Sequence, residues 1–119
     1  MKVYCKTCHA KLTPELQRLP DESHTNEMDG QNYLPTGFYL KSDGTYFTHS
    51  KGKIIVNTGD LINANYHPDP RRLNGCCGLH GCDGPNRICV NGHEIATEIS
   101  DCWMPHAVLF ECDTTYHTD

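Results

Sequence analysis

The sequence predicts a mainly β fold of the small α+β kind, built from antiparallel strands and hairpins with long loops. Three observations give this class. Aromatic and β-branched runs separated by turn residues fill residues 37–57. Residues 94–100 alternate between apolar and polar side chains, as a half-buried strand does. Residues 74–89 contain so many glycines and cysteines that regular structure is excluded there. At 119 residues, the chain is expected to form a single domain over 1–119.

The first quarter of the chain predicts a strand, a short helix and a loop. Residues 3–11 predict a short strand that enters a tight turn. Residues 13–19 predict one or two helical turns, with Thr13 as N-cap and Pro14 at the first helical position. Residues 21–32 are polar and lack periodic apolar positions, which predicts a flexible surface loop.

The middle of the chain predicts a three-stranded antiparallel meander. Residues 37–41 and 45–49 are separated by Ser42-Asp43-Gly44, a hairpin signal, and residues 53–57 form the third strand. Beyond the cysteine-rich stretch, residues 87–90 predict a short strand followed by an Asn-Gly turn, and residues 107–112 predict the last strand.

The segment from residue 67 to residue 74 predicts an extended arm, because Pro68 and Pro70 exclude a helix. His67 and Asp69 can ligate a metal or form an acid–base pair, and Arg72 can clamp an anion. The alternative interpretation is that these side chains tie down the loop through carboxylates and backbone carbonyls.

Charge and cysteine content restrict the compartment and the partners. The net charge is −5 and clustered Lys and Arg are scarce, which argues against nucleic acid as a partner. No apolar run approaches the roughly 18 residues of a membrane span, and the N-terminus lacks the apolar region of a signal peptide. We therefore expect a cytoplasmic protein without membrane association. Disulfides rarely persist there, so the eight cysteines are expected to bind metal or to stay free.

The cysteines suggest a metal site that is split between distant parts of the chain. Cys5 and Cys8 are separated by two residues, a spacing that lets both sulfurs reach one ion. Of the adjacent Cys76 and Cys77, only one is expected to reach that ion, because successive side chains diverge in extended backbone. The predicted ligands are Cys5, Cys8, Cys77 and Cys89. Cys76, Cys82 and Cys102 remain alternatives. Cys102 and His106 have the ligand spacing Cys-x-x-x-His and can supply a second site with Cys76 or Cys82, or else have structural roles.

The N-terminal Cys-Lys-Thr-Cys unit, the β insertion and the later cysteine-rich turn resemble zinc ribbons and related zinc-knuckle proteins of a small bacterial kind. The resemblance covers about the first ten and the last forty-five residues. It implies a structural, tetrahedral zinc and a surface that contacts a protein or a nucleic acid, and the acidic balance favours a protein-interaction module. Two other functions stay open: a metal-dependent or cysteine-dependent enzyme that uses the arm with His67, Asp69 and Arg72, and metal storage or redox sensing.

Overall fold

The computed structural model describes residues 1–119 and confirms the mainly β fold class. The strands are β1 (Lys2–Cys5), β2 (Gln17–Arg18), β3 (Phe38–Lys41), β4 (Ile54–Val56), β5 (Ala64–Tyr66), β6 (Arg87–Cys89), β7 (Glu94–Ile99), β8 (Ala107–Phe110) and β9 (Thr115–Thr118). Three short 3₁₀ helices span Glu22–His24, Thr58–Asp60 and Pro70–Arg72. None of the helices has the length and apolar composition that crossing a membrane requires.

The strands form two sheets of unequal size. The larger sheet has seven strands in the order β2-β3-β4-β8-β7-β6-β5, and only the β2–β3 pair is parallel. The smaller sheet pairs β1 with β9 in antiparallel fashion, so that the two ends of the chain lie side by side. The register of the β6–β7 hairpin shifts between Arg87 and Ile88. This hairpin and β1 turn out to carry the candidate site.

The central strands β4, β7 and β8 of the larger sheet are buried on both faces. Successive side chains of a strand point to opposite faces, so each strand contributes to two clusters. On one face, Ile54, Val56 and Phe110 pack against Val3 of β1. On the other face, Ile55 and Leu109 pack against residues that precede and follow β3, among them Tyr33, Leu34 and Phe47. The first of these clusters also contains Cys5 and Cys89, so the candidate metal ligands belong to the core.

The prediction of a three-stranded meander is wrong at its middle strand. Residues 45–49 form bends and turns, and β3 pairs directly with β4. The aromatic residues that suggested a strand pack against Tyr33 instead. Tyr46 stacks on Tyr33 with ring centroids 5.1 Å apart, and Phe47 is edge-on to both. Phe47 is buried, so packing of one aromatic cluster outweighs the local β preference of this segment.

The predicted helix at residues 13–19 is also absent. Leu12 and Leu16 are buried, and their amides donate to the carbonyls of Val3 and Met1. Gln17 and Leu19 donate to the chain around β3. In an extended conformation these amides bond to the chain around β1 and around β3 while the leucines are buried. A helix would use the same amides in its own hydrogen bonds, and these contacts between segments would be lost. The segment at residues 21–32 is exposed and includes one 3₁₀ turn; its flexibility stays a prediction.

Candidate metal centre

Four side chains from distant parts of the chain meet in one cluster: Cys5, Cys8, Cys89 and His93. Their ligand atoms all lie within 4.8 Å of one another. Cys8 Sγ lies 3.7 Å from Cys89 Sγ, and His93 Nδ1 lies 3.3 Å from Cys89 Sγ and 3.6 Å from Cys5 Sγ. The cluster can therefore hold a metal ion through three sulfurs and one nitrogen.

The first half of the cluster is the N-terminal knuckle, residues 5–10. Cys5 ends β1, and the chain reverses at once, since the His9 amide donates to the Cys5 carbonyl at 2.8 Å. The Cys5 amide in turn donates to the Ala10 carbonyl at 2.9 Å. His9 adopts a φ of 62°, which closes the turn. This reversal directs both sulfurs to the same side.

The second half is the hairpin knuckle, residues 89–93, at the turn between β6 and β7. The Cys89 amide donates to the His93 carbonyl at 2.9 Å, and the Gly92 amide donates to the Cys89 carbonyl at 2.9 Å. Gly92 has a φ of 86°, a conformation that residues with a Cβ rarely adopt. The Asn91 amide donates to Cys89 Sγ at 3.4 Å. An amide aimed at a sulfur stabilises thiolate charge, as ligation of a metal requires.

Three of the six donor-to-donor distances fit a tetrahedral metal site with the bond lengths of zinc. With Zn–S of about 2.3 Å and Zn–N of about 2.05 Å, tetrahedral geometry places two sulfurs about 3.8 Å apart and a sulfur and a nitrogen about 3.6 Å apart. The corresponding distances here are 3.7 Å for the sulfur pair and 3.3 and 3.6 Å for the sulfur–nitrogen pairs. One ion at the centre is therefore within reach of all four donors.

No known protein family, curated protein or solved structure matches this chain. The evidence for the candidate metal centre is therefore the geometry and the chemistry of its four side chains.

The electrostatic surroundings of the two knuckles differ. Hydrogen bonds from the Asn91 side chain and from the Ala10 backbone lower the pKa of the Cys8 thiol to about 6. Burial raises the pKa of the Cys5 thiol, against the amides of Cys8 and Thr7 that favour its thiolate. These surroundings favour the thiolate at Cys8 and the neutral thiol at Cys5, and a cation bound between the knuckles would favour the thiolate at both.

The structure does not bring Cys77 to this cluster. Cys77 lies instead with Cys76 and Cys102 in a second group, named here the thiol triad, and forms a disulfide with Cys102. The expectation that all eight cysteines bind metal or stay free is therefore wrong for this pair. The reason that Cys77 lies there is Asp101, a fully buried carboxylate that accepts hydrogen bonds from the amides of Cys76 and Cys77, both at 2.9 Å. These amides hold the pKa of Asp101 far below its usual range. A buried anion with several donors anchors the cysteine-rich loop away from the knuckles.

The fourth member of the cluster, His93, is absent from the ligand set predicted from sequence. The sequence does contain a pattern that could have identified His93, because Cys89 and His93 have the same Cys-x-x-x-His spacing as Cys102 and His106. Spacing alone cannot choose between the two pairs. In the structure, His106 Nε2 lies 3.1 Å from the Asp101 carbonyl, and Cys82 is exposed and contacts His80. Neither residue joins a cluster.

The arm at residues 67–74 is held in place by Glu94, the residue after His93. His67 Nε2 lies 2.7 Å from Glu94 Oε2, and Arg72 lies 2.9 Å from the same oxygen. The Asp69 amide donates to His67 Nδ1 at 3.0 Å, so both ring nitrogens are engaged within the protein. Hydrogen bonds from Arg71 lower the pKa of Asp69 to about 2. These contacts agree with the alternative interpretation, in which the side chains of the arm tie down the loop.

Replacing His67 with alanine is expected to lower stability by about 1 to 3 kcal/mol, because it removes two hydrogen bonds that each usually contribute about 0.5 to 1.5 kcal/mol. Chemical denaturation of the variant and of the parent protein measures this difference. His24→Ala, an exposed histidine in the 3₁₀ turn, serves as the control and should change stability little. Metal content should be the same in all three proteins, and loss of metal in His67→Ala alone would contradict a purely anchoring role.

Proposed function

We propose that this protein binds one structural zinc ion through Cys5, Cys8, Cys89 and His93. The observation that carries the proposal is the set of four donors that two knuckles bring within 4.8 Å of one another, with three of their distances close to those of a zinc tetrahedron. Three cysteines and one histidine form a usual ligand set of structural zinc sites, and soft sulfur donors disfavour Mg²⁺ and Ca²⁺.

The proposed zinc clips the two sheets together. The N-terminal knuckle follows β1 of the two-stranded sheet, and the hairpin knuckle joins two strands of the seven-stranded sheet. Cys5 and Cys89 are fully buried in the cluster that packs these sheets. Four protein ligands leave no coordination position for a water molecule, so the role supported here is structural rather than catalytic.

We further propose that the zinc-stabilised fold is a protein-interaction module that works in a reducing, cytoplasmic setting. The net charge of −5 disfavours a nucleic-acid partner, because phosphate neutralisation needs clustered cations. Trp103 and Met28, with 55% and 62% of their surface exposed, are apolar groups that a protein partner can cover. A reducing setting is also needed because Cys5, Cys8 and Cys89 can bind the metal only if they have not been oxidised to disulfides beforehand.

The proposal is tested by the zinc content of protein that is purified without added metal. Elemental analysis should find close to one zinc per chain, and His93→Ala should lose most of it because one of the four ligands is gone. His106→Ala is the matched control, since it removes a histidine with the same sequence spacing to a cysteine but outside the cluster. It should keep its zinc.

A second variant separates ligation from packing. His93→Cys supplies a sulfur in place of the imidazole nitrogen, and four-cysteine sites also hold structural zinc. We expect this variant to retain zinc where His93→Ala does not. Protein that is free of metal and yet unfolds cooperatively, with stability equal to that of the metal-loaded form, would refute the proposal.

A further inference from the structure

The thiol triad lies outside the proposed zinc centre and is exposed at all three positions. Cys76, Cys77 and Cys102 place their sulfurs within 4.8 Å of one another. Cys77 and Cys102 form the disulfide, and Cys76 Sγ lies 3.9 Å from Cys77 Sγ. The expectation that adjacent cysteines diverge holds for extended backbone and fails here, because Cys76 and Cys77 lie in a bend.

The backbone that carries the triad is held independently of the disulfide. One carboxylate, Asp101, accepts the amides of Cys76, Cys77 and Cys102 at 2.8 to 2.9 Å, and the Trp103 indole donates to it at 2.8 Å. A Cβ at Gly78 would overlap the Ser100 carbonyl, so the loop packs directly against the chain that leads to Cys102. Reduction of the disulfide therefore leaves three thiols gathered in one place.

We propose that the reduced thiol triad is a second metal site, selective for a soft, thiophilic cation of the Cu(I) class, and that the Cys77–Cys102 disulfide closes it. Three sulfurs without a fourth protein ligand suit a soft cation better than zinc, whose structural sites use four ligands. The disulfide consumes two of the three donors. Metal binding and disulfide formation at this site are mutually exclusive, so the redox state of the surroundings decides whether the ion is held.

The opening step is an ordinary thiol–disulfide exchange. A dithiol reductant gives two electrons and two protons to the Cys77–Cys102 bond, which becomes two thiols, while the reductant becomes a cyclic disulfide. Cu(I) then binds the sulfurs and releases their thiol protons to solvent. Reducing compartments keep such exposed disulfides open, which makes the metal-binding form the one expected in the cytoplasm.

The test is an anaerobic competition for Cu(I) against a chromophoric Cu(I) chelator, using zinc-loaded protein with the disulfide either intact or reduced. Loss of a partner that only orients a metal ligand costs about 10- to 100-fold in affinity. Loss of two ligands to the disulfide should therefore weaken binding by about 100-fold or more. Equal competition by the oxidised and reduced forms would overturn the proposal.

Single substitutions identify the sulfurs. Cys76→Ser should weaken Cu(I) binding of the reduced protein by about tenfold or more, because it removes one ligand. Cys82→Ser is the matched control, being another exposed, free thiol in the same loop, and should bind as the parent does. The fold should survive Cys76→Ser, since the amide and not the side chain of Cys76 contacts Asp101.

Zinc retained in the same samples separates this site from the Cys5, Cys8, Cys89 and His93 centre. We expect zinc content to stay constant while Cu(I) is taken up. Uptake of Cu(I) with release of an equal amount of zinc would place the copper at the other centre and overturn the proposal, as would unchanged affinity in Cys76→Ser. The comparison of oxidised and reduced parent protein needs no variant, so it stands even if a substitution disturbs folding.

Discussion

Replacing Cys89 with serine is expected to abolish zinc binding and to unfold most of the protein at room temperature. Structural zinc contributes apparent binding free energies of about 10 kcal/mol or more in small domains. That is comparable to the whole stability of a domain of this size, about 5 to 15 kcal/mol. Cys89 is also fully buried in the cluster between the sheets, so a serine there leaves a buried hydroxyl.

Circular dichroism and elemental analysis of the same sample measure both effects. Cys112→Ser is the matched control, because Cys112 is free and exposed and lies outside both cysteine groups. It should keep its metal and its unfolding midpoint. Addition of a strong chelator to the parent protein should reproduce the unfolding seen in Cys89→Ser. A folded, metal-free Cys89→Ser protein would show that core packing alone holds the two sheets together.

Replacing Arg87 with alanine is the second large change, with an expected loss of about 3 to 5 kcal/mol, the usual cost of leaving one member of a buried ion pair alone. Arg87 lies 2.6 Å from Glu98, and the two side chains are only 12% and 8% exposed. The guanidinium also covers the Tyr66 ring at 4.2 Å. Because Arg87 begins β6, its loss should loosen the hairpin that carries Cys89 and His93.

Urea denaturation of Arg87→Ala and of Arg87→Ala combined with Glu98→Gln measures the effect. The glutamine removes the unpaired charge and still accepts from Ser100 Oγ, which donates to Glu98 at 2.8 Å. The double variant should therefore be more stable than the single one. A loss below about 1 kcal/mol in Arg87→Ala would mean that the pair behaves like an exposed salt bridge. Weaker zinc retention in the single variant would confirm the link to the hairpin knuckle.

Local pattern in the sequence determined the fold class and several of the elements. The alternation at residues 94–100 predicts β7, and the turn signal at Asn91-Gly92 predicts the reversal before it. The alternation was wrong only in predicting a half-buried strand, because β7 is central in its sheet and is buried on both faces. Such features depend on neighbouring residues and on backbone preferences, which a single sequence contains. The same holds for half of the metal cluster, since the spacing of Cys5 and Cys8 follows from the reach of one short turn.

Tertiary structure decided the features that depend on competition between distant groups. Residues 45–49 have the composition of a strand, yet the packing of Tyr46 and Phe47 against Tyr33 takes them out of the sheet.

The fourth member of the candidate metal cluster was decided in the same way, whereas Cys5, Cys8 and Cys89 were already in the ligand set predicted from sequence. His93 is the fourth member of the cluster. Cys77 lies in the thiol triad instead, where its amide donates to the buried carboxylate of Asp101. The sequence by itself determined which residue types and turns were present. Only the packing of two sheets determined which of those residues meet, because distances between remote residues are set by the whole fold and by no local pattern.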